Sequence, residues 1–235
     1  MLNTDNNPLS YLADLVLIAF LACLQQREAS ISLAQFHTRN FSPHPQLTRD
    51  CICFLIKQGR VGATLVGKRK RGKARLRGLE ITIKVSSTEV TKLIAHLSQY
   101  LKCTPLDSGD CQRIKLLDDQ LKIYECVEYC RYYLDREGLD LKDDFKQLHK
   151  LQLMILELAQ EQVFMVIWRA VKTASERAIV KNRKSVSLSE LMELAYKYFI
   201  SYRKRDVQID FYRAPYAVVS STLRSTLLTF KLPEG

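Results

Sequence analysis

Leu9, Leu12, Val16, Ala19, Phe20, Cys23 and Leu24 recur at three- and four-residue spacing. That period lines one side of a helix, so residues 9–26 are expected to form a first, largely buried helix. Ser30 or Ser32 is placed to cap a short second helix carrying Leu33, Ala34 and Phe36. Asn40 to Pro45 contains two prolines and reads as a turn. A third helix is expected from Gln46 to Gln58, with Leu47, Cys51, Phe54 and Leu55 inward and Gly59 ending it. The period then shortens to two. Val61–Val66 and Leu79–Val85 read as strands, the second alternating Leu79, Ile81, Ile83 and Val85 with Glu80, Thr82 and Lys84. Ser86 and Glu89 have capping-box spacing and open a fourth helix with Val90, Leu93, Ile94, Leu97 and Leu101 on its apolar side.

Beyond Cys103 the pattern is mostly helical. Cys111–Leu117 reads as a short strand, turning at Asp118 and Asp119 into a helix over Leu121–Arg136. Asp144 is expected to cap one long helix from Phe145 toward Val171, with apolar positions too dense for a surface helix. Val180–Lys184 is a polar break. Ser187 and Glu190 form a second capping box, opening a helix through Tyr202. Val207–Phe211 is expected as a strand, and Tyr216–Phe230 as a final helix or strand.

Glycine and proline punctuate the two halves differently. Five of the eight glycines fall between Gly59 and Gly78, whereas no Gly or Pro occurs from Leu139 to Ala214. Tight turns are therefore expected early and uninterrupted helices late. The expected fold class is mainly α with a small β-hairpin. The boundary is placed in the turn-rich Thr104–Asp110, giving domains over 1–103 and 104–235.

Charge changes the picture more than composition does. Lys68, Arg69, Lys70, Arg71, Lys73, Arg75 and Arg77 lie in ten residues without an acid, and supply +7 of the chain's formal +11. A basic connection between two strands suits a polyanion, of which nucleic acid is the commonest. The seven cysteines are odd in number and partly in apolar runs, which points to a reducing compartment. Cys51-x-Cys53 and Cys126-x-x-x-Cys130 lack the spacing of zinc knuckles. Leu15–Leu24 is ten apolar residues, short of the ~20 that span a bilayer. The preceding residues carry Asp5 and Asp14 and no cation, the wrong charge for a signal peptide.

Three helices, a hairpin and a closing helix over residues 9–102, with the junction Leu55-Ile56-Lys57-Gln58-Gly59-Arg60-Val61, resemble a winged helix-turn-helix domain. In that family the third helix usually enters the DNA major groove and the wing touches phosphate or the minor groove. The resemblance implies that Gln46, Thr48, Arg49 and Lys57 present to DNA from helix 46–58. It implies a wing formed by Lys68, Arg69, Lys70, Arg71, Lys73, Arg75 and Arg77. Arg49 suits guanine and Gln46 adenine through paired hydrogen bonds. The turn before the helix, with Pro43 and Pro45, is longer than is usual in the family.

Arg39-Asn40-Phe41-Ser42-Pro43-His44 matches the R-N-x-x-x-H string of helical ribonucleases, but the prolines break the helix that would align Arg and His. Asp118-Asp119 and Asp143-Asp144 suit helix starts as well as a magnesium site. The tyrosines and Trp168 fit a core better than a stacking platform. The expectation is therefore a non-enzymatic cytoplasmic protein (nucleoid-associated or nuclear by organism) without metal or cofactor. Its first expected partner is double-stranded DNA. The alternative is a docking module for RNA or an acidic protein in a larger assembly. The second half is expected to dimerise, dock partners or sense a ligand.

Overall fold

A computed structural model describes residues 11–24, 30–32, 36, 39–65, 79–82, 87–215, 218 and 220–230. Among them are eight α-helices and five short strands, so the chain is mainly helical as expected. It divides into two compact units, 1–118 with 220–235, and 119–219.

The first unit is organised by α1 (Tyr11–Cys23), which buries eleven of its thirteen residues. A helix apolar on every side needs partners on every side. It receives them from α2 (Pro45–Lys57), α3 (Ser87–Cys103) and α8 (Thr222–Thr229), all packed against it. Phe20, Phe36 and Phe41 extend this core, with ring centroids 4.8 and 5.2 Å apart in succession.

Three strands complete the unit: β1 (Ser30–Ser32), β2 (Gly62–Leu65) and β3 (Leu79–Thr82), in the order β1-β3-β2. Both pairings are antiparallel, with Ile31 and Ala63 opposite Ile81 on its two sides and Leu65 opposite Leu79. Ser30 and Ser32 were expected as helix caps. They are instead in a strand, because the alternating Ser-Ile-Ser can hydrogen-bond the free edge of β3, and a two-stranded hairpin alone is marginal. Leu33 and Ala34 lie outside the described residues, as do Val66, Ile83–Val85 and Ser86.

Cys111–Leu117 is helical, not a strand. It belongs to α4 (Ser108–Arg136), whose start is capped by Asp107 Oδ1 accepting from the Asp110 N–H at 2.6 Å. Ile114, Leu117 and Leu121 are buried at three- and four-residue spacing, so the helical period begins a turn earlier than expected. Thr104–Asp107 joins α3 to α4 within the first unit. The chain passes to the second unit inside α4, and α8 returns to the first. There the Thr222 N–H donates to Asn40 O (2.9 Å), the Leu223 N–H to Phe41 O (2.8 Å), and Arg224 is ion-paired with Asp118.

In the second unit Asp144 caps a 3-10 turn, Phe145–Gln147, and the expected long helix is two: α5 (Leu148–Glu157) and α6 (Gln160–Val180). Leu158 and Ala159 between them are extended, and Gln162 Oε1 accepts the Ala159 N–H at 3.1 Å, fixing the restart. A strand pair also went unforeseen: β4 (Asp140–Lys142) lies parallel to β5 (Ser185–Ser187) with Leu141 opposite Val186, both buried. Ser187 caps α7 (Leu188–Lys204) by accepting from the Glu190 N–H at 3.1 Å. The Glu190 carboxylate does not complete the box; it grips Arg183 at 2.9 and 3.0 Å. Val207–Phe211 is irregular, not a strand: Gln162 Nε2 takes Ile209 O at 3.1 Å, so a side chain holds it in place of a β partner.

α2 ends at Gly59, whose φ of 66° is the left-handed value a side chain resists. The Arg60 N–H then donates back to Leu55 O at 2.9 Å. This turn brings Arg60 Nη2 to 2.9 Å from Oδ1 of Asp14, a carboxylate sealed inside α1. Neither Asp14 oxygen accepts a hydrogen bond, so the guanidinium charge is what offsets its burial. Burial pushes the Asp14 carboxyl above its usual range and Arg60 opposes that rise. Arg60→Ala is expected to cost about 3 kcal/mol in urea unfolding at neutral pH, with part recovered in the double variant carrying Asp14→Asn. A raised folded-state pKa favours folding only at low pH. The deficit of Arg60→Ala should therefore be absent below the usual carboxylate range and grow as pH rises through the folded pKa. A deficit independent of pH would refute this account.

Candidate nucleic-acid interface

α2 is preceded by a polar turn that fixes where it starts. His44 is the N-cap, its Nδ1 accepting the Gln46 N–H at 3.1 Å, and Pro45 occupies the first helical position. There its missing N–H costs nothing. Ser42 Oγ lies 2.7 Å from Thr48 Oγ1 and donates to His44 O at 2.9 Å. Asn40 takes a left-handed φ of 53°, so Arg39–His44 forms a turn and not the helix that a ribonuclease string requires.

This geometry sorts the expected contacts of α2. Leu47, Thr48, Cys51, Ile52 and Leu55 face the core, while Asp50 and Lys57 are exposed and Gln46 and Arg49 half-buried. Thr48 was expected to present to DNA. At 2% exposure, with its hydroxyl committed to Ser42, it holds the turn instead. Gln46 Nε2 donates to Asp50 Oδ1 at 2.9 Å, and Arg49 Nη1 donates to Gln46 Oε1 at 3.4 Å. The three form a chain on the outer side of the helix. A base edge met by Gln46 or Arg49 would exchange with these bonds, and the Asp50 carboxylate beside them disfavours phosphate. Lys57, at the last turn, is not in an ion pair among the described residues. Burial, with Asp50 adding, pushes the Cys51 thiol up to about 12, which makes it packing and not a nucleophile.

Lys68, Arg69, Lys70, Arg71, Lys73, Arg75 and Arg77 lie outside the described residues. Their place in the chain is still fixed at both ends, because Leu65 pairs with Leu79 and the run connects them.

The acidic pairs do not build a metal centre. Asp118 sits in the middle of α4 and is paired with Arg224, so it is not a helix start. Asp119 lies 3.9 Å from Lys122, Asp143 is 2.8 Å from Arg131, and Asp144 Oδ1 accepts the Lys146 N–H. No group of three metal-ligating side chains gathers among the described residues. A groove of about 340 Å³ between α1, α3 and α8 is lined by Ile18, Ala22, Lys102, Thr222 and Phe230 among others, and brings together no acid–base pair. No helix of the described residues is long and apolar enough to cross a membrane. No protein-family model, curated protein or solved structure matches the chain.

Thr48→Val removes the hydroxyl that Ser42 needs and should lower stability by about 1 kcal/mol in thermal melts. Affinity for any nucleic acid, measured well below the melting temperature, should not change.

Proposed function

We propose that the first unit is a winged helix that binds double-stranded DNA. One observation carries the reading: α2 ends at Lys57, the hairpin's first strand, β2, begins at Gly62, and β1 adds to the hairpin's other edge, on β3. α1, α2, the β2–β3 hairpin and α3 follow one another in the order that the resemblance implies, with β1 lying between α1 and α2 where a second helix was expected. The seven cations belong to the stretch of sequence that connects β2 to β3, and each phosphate contact they make would release counterions. In this reading they are the wing. Lys57 adds a phosphate contact from α2, and Gln46 and Arg49 are the groups able to read bases.

The test is a duplex-binding titration over a range of salt concentrations. Changing Lys68, Arg69, Lys70 and Arg71 together to Ala should weaken binding at least tenfold near 0.1 M salt, on the order-of-magnitude expectation for lost phosphate contacts. The slope of log K against log salt should flatten by about 3.6 if all four touch phosphate. Unchanged affinity would remove the wing from the proposal. Retained preference for structured RNA or an acidic protein over duplex would replace DNA as partner.

A further inference from the structure

We propose that the second unit carries a separate surface for single-stranded nucleic acid, along one edge of the α6–α7 pair. It does not rest on the wing.

The two helices run antiparallel in a register that can be read from their contacts. Thr173 Oγ1 is 2.8 Å from Tyr198 Oη, and one turn along the guanidinium of Arg169 lies over the Tyr202 ring, 5.4 Å from its centroid. The chain after α7 folds back along α6: the Tyr212 N–H donates to Glu161 O at 3.0 Å, and the Tyr212 ring stacks on Trp168 at 5.6 Å and 24°. Lys172 Nζ stands 5.7 Å from the Trp168 centroid. Cations and rings therefore alternate along a single edge. Trp168 packs against the core, as expected, but is only half-buried, so part of it remains at this edge.

The stretches of chain that supply this edge are rich in cations, of which Arg203 is paired with Glu157 and Lys197 with Glu193. Residues 168–177 and 197–213 hold eight Lys or Arg against three acids, Glu176, Asp206 and Asp210. The rest of the unit holds nine against twelve. Arg169 and Lys172 are on exposed positions of α6 and pair with no carboxylate among the described residues. An arginine lying on a ring is held planar with its N–H edges outward, the geometry that takes a phosphate through two bonds. Lys204 and Arg205 lengthen the track at the end of α7.

Phe211 decides the class of partner. It is 65% exposed and precedes Tyr212, whose ring stacks on Trp168. A duplex hides its base faces, whereas a single strand offers them, and stacking on an exposed ring tolerates any base.

Trp168 is the only tryptophan, so its emission reports this surface and no other. The full chain would be titrated with an oligo(dT) strand of about 20 nucleotides, long enough to cover such a site. Saturable quenching is expected, with affinity falling about tenfold in Arg169→Ala/Lys172→Ala and again in Phe211→Ala, and steeply with salt. Far-UV circular dichroism checks that both variants keep their helices; Phe211, on an irregular exposed segment, serves if the double variant does not. The variant lacking Lys68, Arg69, Lys70 and Arg71 should quench like wild type, so failure here and failure of the duplex reading are separable. An unchanged emission, wild-type affinity in both variants, or equal quenching by duplex or by polyglutamate would each overturn the proposal.

Discussion

A carboxylate buried inside an apolar helix is the constraint on which the first unit turns. Asp14 lies in the first turn of a helix that must be covered on all sides, and an ionised group buried there is costly unless a cation reaches it. The cation comes from Arg60, three residues past the end of α2 and two before β2. Satisfying one charge thus sets where the helix stops, how the chain turns at Gly59, and where the hairpin leaves the core. The interface argued for DNA is built on that junction. Its orientation is inherited from an interaction that no nucleic acid would touch.

What was legible in the sequence follows from how local the cause is. α2 was readable almost to the residue, because its period, the proline at its start and the glycine at its end are all nearest-neighbour signals. Ser187 and α7 were readable for the same reason. Several of the misses have non-local causes. Ser30–Ser32 is a strand only because β3 offers an edge some fifty residues away. Asp118 looked like a helix start, but its partner Arg224 is 106 positions distant. The break at Leu158 and Ala159 has no Gly or Pro to announce it and is set by how two helices pack on a shared core. Burial of Thr48 depends on Ser42, within a turn whose type was foreseen but whose hydrogen bonds were not.

The candidate sites divide along similar lines. The basic run is conspicuous as sequence because charge can be counted without geometry. The edge at Arg169 and Trp168 is invisible as a run, since its members come from α6, from α7 and from the segment beyond, and only the antiparallel register aligns them. Phosphate-contacting groups position a protein on its partner without reading sequence. Both cationic surfaces share that limit, and the groups that could discriminate, Gln46 and Arg49, are already bonded to each other.

The return of α8 to the first unit has a further meaning for how the protein is made. The unit that opens the chain is discontinuous: it needs backbone partners for Asn40 and Phe41 that the ribosome supplies only after the entire second unit has been synthesised. The later-encoded unit is thus the one able to finish folding first. α1, apolar on nearly every side, is synthesised before the second unit and gains its cover from α8 only after it. A boundary drawn at the end of α3 would cut through this circuit, and a fragment ending there would expose a face of α1 that the whole chain keeps dry.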